Sequence, residues 1–245
     1  MHWQTKAFAG RLLRVGLCAV LAGCGPETMP EPEAHAVQEE ALAAGCMASP
    51  SAPAWRMTGA MGESRAFHTT TLLADGRVLA VGGYSASAEV YEPASRSWSA
   101  TGKASTARRY HTATLLSSGE VLLVGGTSGS RGATAELYAP ATGTWRPTGS
   151  MAVARRSHAA ALLGSGQVLV TGGVDAQGRP LASVEAYEPA SGTWLAAAPL
   201  ATARSEHVSL VLPSGRVLVA GGRDAAGKPL ASAEEYDSTS RTWRA

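Results

Sequence analysis

Four copies of one register govern this chain: Arg65-x-x-His68, Arg108-x-x-His111, Arg155-x-x-His158 and Arg204-x-x-His207, each followed by a Gly-Gly pair and then a Trp. Trp55, Trp98, Trp145, Trp194 and Trp243 are separated by 43, 47, 49 and 49 residues. Trp to the next His is always 13 residues, and His to Gly82, Gly125, Gly172 or Gly221 is always 14. Only the stretch from the second glycine (Gly83, Gly126, Gly173, Gly222) to Glu89, Glu136, Glu185 or Glu234 changes, at 6, 10, 12 and 12 residues. A period of this length marks repeated supersecondary units, in which one loop varies on a fixed frame.

The frame reads as strands. His68 to Leu73 and Arg77 to Val81 are β-prone runs on either side of Ala-Asp-Gly76, and Gly119, Gly166 and Gly215 close the same turn in the other repeats. That is a hairpin signal. The run Val-Leu-x-Val ends in Gly-Gly, where a missing Cβ permits positive φ or close backbone approach. A third strand carries Glu-x-Tyr, and a Pro- or Ser/Thr-containing turn leads to a fourth whose Trp is expected to cover the flank of the next sheet. Four strands in each repeat of roughly 45 residues, with no helical period, predict an all-β chain: a β-propeller of four-stranded antiparallel blades, four repeats present, at about 62–102, 103–149, 150–198 and 199–245.

The combination Arg-x-x-His, Gly-x-Val-Leu-x-x-Gly-Gly, Glu-x-Tyr and Trp resembles Kelch repeats of the bacterial, galactose-oxidase-like type over residues 55–245. The resemblance implies the propeller and says little of function, because the family spans scaffolds, ligand readers and a few oxidases. A WD-type propeller has a similar period, but no Trp-Asp or Gly-His pair closes a repeat. Copper-radical oxidases that share the repeat use a tyrosine cross-linked to a cysteine, and no cysteine lies between 55 and 245. The sialidase turn Ser-x-Asp-x-Gly-x-Thr-Trp is matched only in its tail, at Gly143-Thr-Trp145 and Gly192-Thr-Trp194. No Ser-His-Asp set, paired carboxylates or cofactor motif stands out.

The front end reads as an export signal: Lys6, Arg11 and Arg14, a short apolar run from Val15 to Ala22, then Leu-Ala-Gly-Cys24. These last four residues resemble a bacterial lipobox, which implies a signal peptide at 1–23, acylation of Cys24 and a lipid-anchored protein of the cell envelope. Gly25 implies the outer membrane by the family's sorting rule; ordinary secretion is the alternative. Residues 24–54 carry five Glu, no Lys or Arg and many Pro and Ala, the composition of a disordered tether with a span of about 30 Å. Cys46 is left alone there. The propeller keeps 18 basic and 14 acidic residues, a balance that gives no reason to expect nucleic acid.

Side chains recurring once per blade are read as framework: His68, His111, His158 and His207, the Gly pairs and Trp98, Trp145, Trp194 and Trp243. A metal ring of the four histidines is the alternative. Glu of Glu-x-Tyr and Arg of Arg-x-x-His are expected to bridge strands or blades. The varying loop should lie on the same face as the entry to the first strand. The candidate binding face therefore comprises Arg65, Arg108, Arg155, Arg204, Tyr84, Arg131, Asp175, Arg179, Asp224 and Lys228.

Trp55 to Met61 reads as a fourth strand without partners, and it either closes a four-bladed ring or belongs to an incomplete one. An open ring would expose strand edges and permit a homodimer. The expectation is a non-catalytic binding module for a protein or glycan; a carbohydrate-active or oxidase-like enzyme, a surface structural element and a truncated piece of a longer protein are the alternatives.

Overall fold

The computed structural model describes residues 56–127 and 129–245. The signal, Cys24, the tether with Cys46, Trp55 and Ser128 lie outside the described residues. Arg56–Ala245 forms one compact unit.

Each repeat folds into one antiparallel sheet with strands in chain order. The first holds β1 (Thr69–Leu72), β2 (Val78–Val81), β3 (Ala88–Glu92) and β4 (Ser97–Thr101); the second, β5 (Thr112–Leu115), β6 (Val121–Val124), β7 (Ala135–Ala139) and β8 (Thr144–Thr148). The third holds β9 (Ala159–Leu162), β10 (Val168–Thr171), β11 (Val184–Glu188) and β12 (Thr193–Ala197); the fourth, β13 (Val208–Val211), β14 (Val217–Ala220), β15 (Ala233–Asp237) and β16 (Thr242–Arg244). The first hairpin of each sheet closes as its sequence predicts. Leu73 N–H donates to Arg77 O at 2.8 Å across a turn in which Gly76 takes φ 87°, a left-handed conformation that only glycine adopts without steric cost.

Alternation along the second strand builds the core. Leu79 and Val81 of β2 face Val121 and Leu123 of β6, while Leu122 and Val124 on the other side of β6 face Val168 and Val170 of β10. All four residues of β6 are therefore buried, which explains an unbroken apolar run where a sheet wet on one face would alternate. Three such cores join successive sheets. The innermost strands β1, β5, β9 and β13 stand side by side in that order.

Among the described residues no apolar core joins the fourth sheet to the first. β14 alternates instead, with Val217 and Val219 buried and Leu218 and Ala220 only partly so. Val208 and Leu210 on β13 are 66% and 61% exposed, and Leu72 on β1 is 64% exposed. Each faces the side where a neighbouring sheet would lie. The stretch from Arg56 to Met61, predicted as part of a strand, is in none; with no partner strands, its Gly59 N–H donates to Arg96 O at 2.9 Å.

The tryptophans correct a second expectation. Trp145 packs on the core shared by the first and second sheets, and its Nε1 donates to Gly102 O at 2.8 Å, just beyond β4. Trp194 and Trp243 donate likewise to Gly149 O and Ala198 O, both at 2.8 Å. Each covers the preceding sheet, not the next, because its cross-strand partner Tyr (Tyr138 opposite Trp145) points to that side. Trp98 has no such acceptor among the described residues.

Candidate functional site

Each blade is pinned by one buried arginine. Arg155 Nη1 donates to Gly172 O and Ser183 O, both at 2.9 Å, and its Nη2 reaches Glu185 Oε1 at 2.7 Å. Glu185 Oε2 accepts the Ala152 N–H at 2.7 Å. The guanidinium thereby ties the ends of the variable loop to the segment entering the first strand. Arg65–Glu89, Arg108–Glu136 and Arg204–Glu234 repeat the arrangement at 2.8 to 2.9 Å.

All four arginine side chains are at most 1% exposed, which removes Arg65, Arg108, Arg155 and Arg204 from the candidate binding face. Burying a cation requires acceptors, and the carbonyls and the carboxylate take up the Nη donors, with Arg108 Nε left unpartnered among the described residues. Burial alone would raise the Glu89 pKa, but the Gly62 N–H and the Arg65 guanidinium hold it below the ordinary value.

The histidines sit between blades. His111 Nε2 meets Thr69 Oγ1 of the preceding sheet at 2.9 Å, and His158 meets Thr112 at 2.9 Å. Ala159 occupies the corresponding place in the third sheet; there Thr171, its cross-strand partner, supplies the hydroxyl to His207 at 2.8 Å. Burial first, and then the neighbouring Arg108 and Arg204 charges, lower His111 and His207 to about 4; His158 is lowered well below the ordinary value by burial and Arg155. These rings are neutral at pH 7. Among the described residues no group of three or more His, Cys, Asp or Glu is placed to hold a metal ion.

The first glycine of each pair is what lets blades approach. A Cβ on Gly82 would meet Arg108 O at 2.6 Å and His111 Cε1 at 2.7 Å, whereas on Gly221, which faces no further blade among the described residues, the nearest atom is Leu230 O at 3.7 Å. The second glycine donates across the joint, from Gly83 N to Arg108 O at 2.7 Å and from Gly126 N to Arg155 O at 3.0 Å.

What remains accessible is the rim where the variable loops emerge. The residue before each histidine is left-handed: Phe67 (φ 58°), Tyr110 (φ 58°), Ser157 (φ 53°) and Glu206 (φ 56°). Such a conformation costs a non-glycine residue on the order of 1 kcal/mol and persists where the surroundings impose it. Here a line of backbone bonds does so, from Tyr110 N to Phe67 O at 3.3 Å, Ser157 N to Tyr110 O at 2.8 Å and Glu206 N to Ser157 O at 2.9 Å.

At the end formed by the first two blades the rim is aromatic. Phe67 lies 4.5 Å from Tyr110 and 6.1 Å, edge to face, from Tyr84, while the Arg109 guanidinium sits 5.8 Å above the Tyr84 ring. All four are exposed. Tyr84 thus stands where the sequence placed it. Phe67, Tyr110 and Arg109 were missed; the available signal was that both middle positions of Arg-x-x-His vary, through Phe, Tyr, Ser and Glu before the His and through Ala, Arg, Arg and Ser before that.

The opposite end is charged and self-paired. Glu206 meets Arg223 at 2.9 Å, and Asp175 meets Arg179 at 2.7 Å. Asp175 Oδ1 also accepts the Gln177 and Arg179 N–H groups at 2.9 Å, as Asp224 Oδ1 does those of Ala226 and Lys228. The two aspartates therefore brace their own loops. Arg179 and Lys228 stay exposed, as does Arg131 on the short 3-10 turn Gly129–Ala133.

Four antiparallel four-stranded sheets, each one sequence repeat, joined side by side through their inner strands, are the blades of an all-β propeller. The family model described as Kelch motif matches residues 155–201 and 206–245, the third and fourth blades. Matches and sheets together fit a Kelch β-propeller. No curated protein matches the chain.

Proposed function

We propose that this protein is a non-catalytic binding module, exported and held at the outer membrane through an acylated Cys24, and that its ligand docks on the loop rim of the blades. The observation that carries the reading is where the repeats differ. Arg and Glu do the same inward work in every blade, and His and the first glycine do so wherever one blade meets the next, while Phe67, Tyr110, Ser157 and Glu206 present four different chemistries outward at one register. In a repeat array, recognition resides where equivalent positions diverge on a rigid support.

The test uses the full chain immobilised on a sensor surface against a panel of oligosaccharides and peptides. Saturable binding that falls at least tenfold when Phe67 and Tyr110 are together replaced by Ala, without product formation, is the expected result. Turnover of a bound compound, or binding indifferent to that replacement, would sink the reading. Anchoring is checked separately: labelled palmitate should enter the wild-type chain and not the Cys24→Ser variant.

A further inference from the structure

Resting on that reading, we infer that the aromatic end of the rim is a subsite for a uronic-acid-bearing oligosaccharide, whose ring stacks on Tyr84, Phe67 or Tyr110 while its carboxylate is taken by Arg109. Three features of the site point to this chemistry.

The first is the availability of Arg109. Its guanidinium carbon lies 5.8 Å from the Tyr84 ring centroid, within cation–π reach, and among the described residues none of its side-chain donors has a hydrogen-bond partner and no carboxylate pairs with it. The charged residues at the far end, Glu206 with Arg223 and Asp175 with Arg179, are by contrast already satisfied. A planar fork of free donors matches a carboxylate in two-point contact.

The second is a cleft between the first two blades, about 170 Å³ in volume, lined by Gly83, Tyr84, Ala107, Arg109, Gly126 and Thr127. The Thr127 Oγ1 in its wall is buried and has no partner among the described residues. A buried hydroxyl left unbonded is destabilising, and a ligand hydroxyl or carboxylate that reached it would supply the missing partner. The space is below the range of pockets that enclose a drug-sized molecule, so it admits one polar substituent and not a whole ligand.

The third is that the aromatic surface is a ledge. Tyr84 is 66% exposed and Phe67 and Tyr110 also open to solvent, so they offer faces on which a ring can lie. A peptide anchor needs a desolvated apolar pocket to receive its side chain, and among the described residues Phe67, Tyr84 and Tyr110 stand exposed and do not enclose one. A sugar ring with a carboxylate uses both the flat apolar face and the polar notch.

The experiment is calorimetric titration of the full chain with oligogalacturonate of three to six residues, with neutral cello-oligosaccharides of equal length, and with oligothymidylate. Binding is expected for the acidic sugar, at least tenfold tighter than for the neutral one. Arg109→Gln should remove that preference, Tyr84→Ala should weaken binding at least tenfold, and Lys228→Gln at the far end should change nothing; circular dichroism confirms that each variant is folded. Equal affinity for neutral sugars, tighter binding of oligothymidylate, binding indifferent to both ledge variants, or no binding of acidic sugar at millimolar concentration each overturns the inference. If the acidic sugars fail but some other ligand is lost on replacing Phe67 and Tyr110, only this inference falls; turnover removes the binding-module reading itself.

Discussion

The joint between the second and third blades and the joint between the third and fourth are built from the same parts, and one of them is less complete. In the former, Trp194 donates to Gly149 O, Thr148 Oγ1 bonds Tyr187 OH at 2.7 Å, and Gly149 N donates to Gly192 O at 3.0 Å. In the latter Trp243 keeps its bond to Ala198 O, and Gly173 N reaches Arg204 O at 2.9 Å. Ala197, however, stands where Thr148 would, so Tyr236 has no hydroxyl partner. Ala198 stands where Gly149 would, and a Cβ on Gly149 would run into the Gly192 carbonyl. The alanine holds the facing turn away, the second backbone bond is missing, and a cleft of about 410 Å³ lined by Leu195, Ala197, Tyr236 and Arg241 opens there. Apolar contact and the His–Thr bond suffice to set the blade; the Thr–Tyr and Gly–Gly ties decide how closely it seats.

Four experiments bear on this contrast. Glu185→Ala leaves the buried Arg155 charge without its partner and should cost about 3 to 5 kcal/mol, lowering the whole thermal transition. Glu234→Ala in the fourth blade should instead split off an early, smaller transition by calorimetry; one shared transition in both variants would mean that the two joints are equally strong.

Acid should loosen the joint between the third and fourth blades, through His207, and the joint between the first and second, through His111. His111 and His207 titrate at about 4 when folded and near 6.5 when unfolded, so the unfolded state binds more protons between these values. Stability is then fully present above pH 6.5 and falls as pH is lowered towards 4, by about 2 kcal/mol per histidine at pH 5. Urea midpoints at pH 7 and pH 5 measure it, and a flat profile would contradict the neutral, buried rings.

Gly149→Ala imposes on the tighter joint the obstruction already present at Ala198. A cost of about 1 to 3 kcal/mol is expected, read from the urea midpoint. The smallest effect is a gain: Ala197→Thr gives Tyr236 a hydroxyl partner and should add about 1 kcal/mol.

Much of the fold was legible because its period is written in residue types that each have one job. The turn glycines, the Val-Leu runs and the Glu–Arg pairing all lie in the structure where spacing placed them. Spacing does not say which flank a side chain covers, so Trp145 was assigned to the wrong neighbour. Nor does it reveal burial of a cation: Arg155 reads as a loop-edge charge until Glu185 and two carbonyls are seen around it. The rim was hidden for a further reason. Phe67, Tyr110, Ser157 and Glu206 share a backbone conformation imposed by neighbouring blades, and nothing in their side chains marks it.

Each of the first three blades carries a threonine hydroxyl and the first Gly of its pair towards its successor, and each blade after the first turns Tyr and Trp towards its predecessor. A gene segment copied in frame would therefore arrive with both couplings already made and lengthen the row without a new contact being invented. The loops Asp175-Ala-Gln-Gly-Arg-Pro-Leu181 and Asp224-Ala-Ala-Gly-Lys-Pro-Leu230 have the near identity that such copying leaves behind.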